Sequence, residues 1–498
     1  MNYYVIGIGG TGAKCIEALT HLCAAGLMPD GQLYALFVDP DKANGSLERT
    51  QITLQQYVNC LQLQFGATGL FKTTLVRAQP DVWTPFGDET QPNLNNLFQY
   101  NSLKVTNQAA AHLFDALYSR AEKETTLEKG FRGHPSIGAA VMAKTVQLEE
   151  VEPWRTFLNN IKNDVGAGTG AKIFLFGSIF GGTGASGFPT IARLIRDVLK
   201  TIGQANARLG GALVLPYFSF IPDASNQLKA SSENFLMNTQ AALKYYYQQD
   251  NTNIYDAVYL CGDESLSPVT FSIGAKTQRN EPHFIELYAA LAAIDFFFKH
   301  EPQGYYMLAR HEKNQNDQKN KLEWYDLPHD KGSDTVKQKI GQFVRFAFAY
   351  LSAYLPMLDE IRTNGKGYRA PWFIDFFERK NIPISDNATQ TSLAYVKAYC
   401  ESFLLWIANV QNSAKDEHIN LVNHFAFAEA KDGKIAIKPP QNFTLSDFSN
   451  LILPAGKMEP HALNKLWEDM CDAKVKDPTA NSVGRFIHAL YRECAKNL

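Results

Sequence analysis

The sequence predicts a doubly wound α/β domain with a mostly parallel sheet, followed by a largely helical C-terminal region. Three observations lead there. Short, nearly continuous apolar runs fit strands buried on both faces of a parallel sheet. Helical patterns separate those runs, as βαβ units require. Two of the runs end directly in a glycine-rich turn, GIGGTG at 7–12 and GGTGASG at 181–187.

Strands are expected at 3–6, 33–38, 172–179, 211–218 and 255–261, with helices at 13–25, 189–202 and 231–248 between them. The stretch 51–130 breaks the pattern with Pro80, Trp83, Pro85, Pro92 and the asparagines Asn93, Asn95 and Asn96, and is read as an insertion or irregular layer. The polar run EKNQNDQKNK at 312–321 is the best boundary candidate and is read as an exposed loop or hairpin tip. Beyond it helices are expected at 334–358 and 394–414, with a short hairpin at 431–440. At 498 residues the chain exceeds one comfortable core, so two domains are expected, 1–300 and a mainly helical 301–498.

A formal charge of −2 gives no global attraction to nucleic acid or an anionic membrane. Seven cysteines, odd in number and never spaced C-x-x-C, argue against a disulfide framework or zinc ribbon and point to a reducing cytoplasm. The apolar start runs straight into the glycine turn, so no leader is expected. No apolar run approaches the ~20 residues that span a bilayer.

Gly7, Gly9 and Gly12 satisfy G-x-G-x-x-G, which permits a tight turn and aims a helix N-terminus at an anion. Asp39 closes the second strand, where a dinucleotide-binding enzyme places its ribose acid. The P-loop pattern G-x-x-x-x-G-K-[ST] fails by one residue, because position 13 is Ala13 and the lysine is Lys14. The second turn changes the balance. Two glycine turns in one sheet could grip a triphosphate with backbone amides and no lysine.

With both turns in view, the chain resembles the tubulin and FtsZ superfamily. Gly181, Gly182, Thr183, Gly184, Ala185 and Ser186 are similar to its G-G-G-T-G-S-G loop, with Phe180 for the first glycine and Ala185 inserted. GIGGTGAK, including Gly9, Gly10, Thr11, Gly12 and Lys14, resembles the first nucleotide loop. FVDPD puts Asp39 and Asp41 at the polar positions near phosphates and magnesium. GHPSIG resembles the loop over the terminal phosphate, with Gly133 retained and His134 for asparagine. LPYFSFIPD resembles the loop toward the ribose, with Asp223 as a displaced acid.

The resemblance implies GTP or GDP with Mg2+ as cofactors, in a tubulin/FtsZ-like GTPase domain. Asn280, His283 and Glu286, at the start of a following helix, become the base contacts; ordinary helix-start roles stay open for them. Hydrolysis in the family uses acids that reach the next subunit, and EWYDLPHDKGSD offers Asp326 and Asp330. Helix capping or solvation is the other reading of those two. The implied function is a GTP-binding, self-assembling protein or a nucleotide-dependent partner in a bacterial multi-protein system, associating through its C-terminal domain. Two alternatives stay open: an NAD- or FAD-dependent oxidoreductase using Gly7, Gly9, Gly12 and Asp39, or an interaction protein that binds nucleotide only to hold its fold.

Overall fold

The computed structural model describes residues 1–63, 69–87, 89, 91–131, 134–145, 149–202, 206–220, 232–248, 254–262, 266–269, 280–299, 301, 304–308, 333–364, 370–413, 421–444, 450–452, 463–474 and 482–496. Its strands are β1 (Asn2–Ile8), β2 (Gln32–Val38), β3 (Thr74–Trp83), β4 (Ala171–Ser178), β5 (Ala207–Val214), β6 (Phe218–Phe220), β7 (Ala257–Cys261), β8 (Ser267–Val269) and β9 (Gly304–Leu308). Seven of them form one sheet in the order β3-β2-β1-β4-β5-β7-β9, and every neighbouring pair is parallel. β6 and β8 pair separately, also in parallel.

The expected doubly wound fold is present. From β1 the chain steps to β2 on one side, whereas β4 lies on the other, so the strand order reverses between β1 and β4. Right-handed crossovers then place the helices after β1 and β4 on opposite faces. Adjacent residues of β5 show that the helix after β4 and the central helix Phe284–Phe298 cover opposite faces. A methyl group at Gly210 would meet Phe296 of the central helix Phe284–Phe298, and one at Gly211 would meet Phe188 of the helix Gly182–Ile202. The central helix is buried along almost its whole length, as a largely apolar sequence such as FIELYAALAAIDFFF requires, and its two buried acids, Glu286 and Asp295, are partnered.

Several boundaries differ from the expected ones for physical reasons. The 51–130 stretch is not merely an irregular layer: it begins inside the helix Gly45–Leu61 and supplies β3, an edge strand of the main sheet. β3 carries Pro80, which an edge strand accommodates, and its pairing with β2 shifts register between Ala35 and Phe37. Short helices follow it, among them Gln108–Leu117. The second-loop helix starts at Gly182 rather than at 189, with Pro189 inside it. Pro189 cannot donate to the Ala185 carbonyl, and the Tyr246 hydroxyl donates to that oxygen instead at 2.6 Å.

The C-terminal region is mostly helical, as expected. Ser333–Ala349 runs through a π-helical turn into Leu355–Asn364, beyond the expected end, and Asn387–Ser413 is the longest helix among the described residues. The hairpin pairs Ala428–Lys431 with Lys434–Ile437, turning through Asp432 and Gly433 at positive φ. The helix Asn387–Ser413 packs chiefly on the helix Gly45–Leu61 and reaches the first helix, Gly9–Ala24, at Thr20 and His21. His21 stacks on Trp406 at 4.7 Å and lies 3.1 Å from the Tyr399 hydroxyl. One apolar core runs without a break through the sheet layers and the C-terminal helices.

Candidate functional site

The carboxyl ends of five adjacent strands converge on one edge of the sheet. β2 is followed by Asp39, β1 by Gly9, β4 by Gly181, β5 by Tyr217 and β7 by the β8 layer. Ligands of open α/β sheets bind in the crevice where the strand order reverses, here between β1 and β4. Both glycine turns flank that point.

The first helix begins at Gly9 immediately after β1, with Ile8 at its cap position and no side-chain cap hydrogen bond. Gly9 has φ of +71°, a conformation open to glycine and costly for other residues. Gly12 is held for another reason: a methyl there would lie 2.7 Å from the Phe176 carbonyl oxygen and 2.8 Å from the Gly7 carbonyl carbon. Neither this helix nor Gly182–Ile202 has an acidic residue in its first turn. The two turns meet, since a methyl at Gly9 would sit 3.4 Å from the Thr183 side chain. Gly9, Gly10, Thr11, Gly181 and Thr183 remain partly exposed, whereas Gly12, Gly182 and Gly184 are buried. Two helix N-termini therefore present backbone N–H groups and positive dipole ends to one accessible crevice.

The helix Pro135–Thr145 closes on the same place, because a methyl at Gly138 would collide with the Ser186 hydroxyl and the Phe131 ring. Ser186 is buried, and its hydroxyl donates to the Gly182 carbonyl at 2.7 Å. Ala185 is buried, with its carbonyl held by Tyr246. His134 is exposed, its Nδ1 3.7 Å from a Glu122 oxygen. Gly133 and Asp223 lie outside the described residues, as do Asp326 and Asp330.

On the other flank, Asp39 and Asp41 are both buried. Asp39 accepts the Asp41 backbone N–H at 3.0 Å and the Asn44 amide at 3.4 Å. Burial pushes the Asp39 carboxyl up to about 8; the Asp41 N–H pulls it down in part, and the Asp41 charge adds to the rise. Asp41 accepts the Ala43 N–H at 3.1 Å. Asn44 caps the helix Gly45–Leu61 through Ser46 and Leu47, and its amide nitrogen would lie 3.0 Å from a methyl at Gly10. Asn44 is a site residue the motifs did not single out, although asparagine directly before a helical pattern was a visible cap signal.

Two of the residues expected as base contacts, His283 and Glu286, belong to a closed network. Glu286 pairs with Lys14, both almost fully buried. The Tyr217 hydroxyl donates to Glu286 at 2.6 Å and accepts from Lys14 at 3.0 Å. The second Glu286 oxygen accepts the His283 backbone N–H at 2.9 Å, while His283 caps the central helix by accepting the Ile285 N–H at 3.2 Å. His283 also meets the Ser267 hydroxyl at 3.0 Å; burial, aided by the Lys14 charge, lowers its pKa to about 3. Asn280 is partly exposed, and its carbonyl accepts from Arg49, which grips Glu17 through two nitrogens. Tyr217, Arg49 and Glu17 gave no local signal, because their partners lie tens to hundreds of positions away.

Residues 106–336 match the model of a family described as tubulin like. The matched segment contains GHPSIG, GGTGASG and the central helix; the first loop and most of the C-terminal helices lie outside it. Among solved structures the chain is similar to CetZ1 from Haloferax volcanii, a GDP-bound monomer. The identity is 14% over 53% of this chain and 51% of that one, with a TM-score of 0.25, so the likeness spans about half of that protein's length. No curated protein matches the chain.

Proposed function

We propose that the protein binds a guanine nucleotide, GTP or GDP with Mg2+, in the crevice between β1 and β4. One observation carries this reading: two helix N-termini with no acidic first turn meet at Gly9 and Thr183, at the reversal point of a parallel sheet. Gly9, Gly10, Thr11 and Gly12 would receive one part of the phosphate chain and Gly181 to Ala185 the other, through amides rather than side-chain cations. Asp39 and Asp41 bring hard oxygen donors of the kind Mg2+ uses together with phosphates. Asn280 remains the base-side residue with a partly exposed position.

Hydrolysis belongs to the same proposal. Asp326 and Asp330 would act on the nucleotide of an adjoining subunit, so activity would rise with self-association. The setting is a cytoplasmic assembly, a filament or a nucleotide-dependent partner of other bacterial proteins. Among the described residues no helix is long and apolar enough to cross a membrane.

Equilibrium titration of the full chain with GTP, ATP and NAD, each with Mg2+, tests the reading. Preference for GTP supports it. Preference for NAD would favour the oxidoreductase alternative, in which Asp39 holds a ribose.

A further inference from the structure

We propose that Lys14 is a positioning residue: it neutralises Glu286 behind the first glycine loop and does not touch the phosphates. This rests on the nucleotide reading above and names the role of one side chain in it. A lysine just past a glycine-rich phosphate turn is the side chain first taken for a phosphate cation. Here it points the other way. Lys14 is on the second turn of the helix whose first amides face the crevice, and its ammonium is enclosed by Glu286 and Tyr217, with the ring face of Tyr217 5.3 Å away. Its side chain is 3% exposed and that of Glu286 2%.

Three elements meet at this pair: the first-loop helix, the segment after β5 through Tyr217, and the start of the central helix through Glu286. A parallel link lies one helical turn further along the same helix, where Glu17 holds Arg49 and Arg49 holds the Asn280 carbonyl. Lys14 and Glu17, three positions apart, share a face that ties the phosphate-loop helix to 280–286. Removing the lysine alone would leave a buried carboxylate behind amides that must hold an anion, which opposes the anion and frees the helix from its anchor.

The test uses Lys14→Met and the pair Lys14→Met with Glu286→Gln, in the full chain. Glutamine keeps one acceptor oxygen for the His283 N–H and turns its amide N–H toward the Tyr217 hydroxyl, which can accept, while discarding the charge. Affinity for a fluorescent GTP analogue, for the matching GDP analogue and the melting temperature are measured together. Lys14→Met is expected to weaken both nucleotides by about tenfold or more, and the added Glu286→Gln to recover most of that loss, a coupling of the size found for contacting charges. If the loss persists in the pair and is greater for GTP than for GDP, Lys14 contacts the phosphates and the proposal falls. If Lys14→Met lowers only the melting temperature, the pair is structural and the proposal also falls. If the unaltered chain binds neither analogue, the nucleotide reading itself fails, an outcome distinct from the other two.

Discussion

The two sides of the crevice, one proposed to take the phosphates and the other proposed to face the base, are built from different material. On the phosphate side, Gly9, Gly10, Thr11, Gly181 and Thr183 offer backbone amides at two helix starts and stay partly exposed. On the base side, Lys14, Tyr217, His283 and Glu286 are buried and bonded to one another. The first side is the one proposed to receive the nucleotide. The second holds its own elements together, and this difference separates residues that would receive a nucleotide from residues that shape the place where it sits.

The sharpest break in the comparison is Gly12→Ala. The added methyl meets backbone on two sides, at Phe176 and Gly7, and neither can yield cheaply. We expect a loss of about 2–4 kcal/mol, read by thermal or denaturant unfolding, together with lost nucleotide affinity. Wild-type stability in this variant would show that the turn is looser than described. Next in size is Tyr217→Phe, which leaves Lys14 and Glu286 paired but removes the hydroxyl between them. A cost of about 1–2 kcal/mol is expected from the lost buried hydrogen bonds, with a smaller effect on affinity.

The Asp39 carboxyl gives a pH test. Its folded pKa, about 8, lies above the unfolded value of about 4. Between those values the folded chain keeps a proton that the unfolded chain has released. Its contribution is therefore complete below about pH 4, declines as pH rises, by at most about 1.4 kcal/mol per unit, and levels off above about 8. Asp39→Asn should flatten that part of the pH profile of the melting temperature. An unchanged profile would place the carboxyl in a wetter or cation-bound setting. The smallest effect belongs to Asn280→Ala, since the residue is partly exposed and its recorded contact is made by the backbone carbonyl. Stability should stay within about 0.5 kcal/mol, so any change in GTP preference over ATP reports base contact directly.

The sequence carried the phosphate side well, because glycine spacing after an apolar run is a local signal for a local backbone shape. β1, β2, β4, β5 and β7 were visible for the same reason. β3 was not: Arg77, Gln79, Pro80 and Asp81 hide a strand that sits at the sheet edge and needs no continuous apolar run. The early start of the second-loop helix was hidden because Pro189 looked like a first-turn residue, and only Tyr246, remote in the chain, supplies the missing donor. The base side was the least visible. Asn280, His283 and Glu286 were expected as base contacts, with helix-start roles open, and His283 and Glu286 do cap the central helix; but Lys14 and Glu286 are 272 positions apart, and nothing in either neighbourhood signals that they are paired.

The central claim is that the two glycine turns form one anion grip for a guanine nucleotide. It is tested most directly by identifying the nucleotide released on denaturing the purified full chain, by mass spectrometry and chromatography. The account predicts GDP or GTP in the wild type and its loss in Gly12→Ala. Release of NAD or an adenine nucleotide from the wild type, or of guanine nucleotide from the variant at the same level, would contradict it.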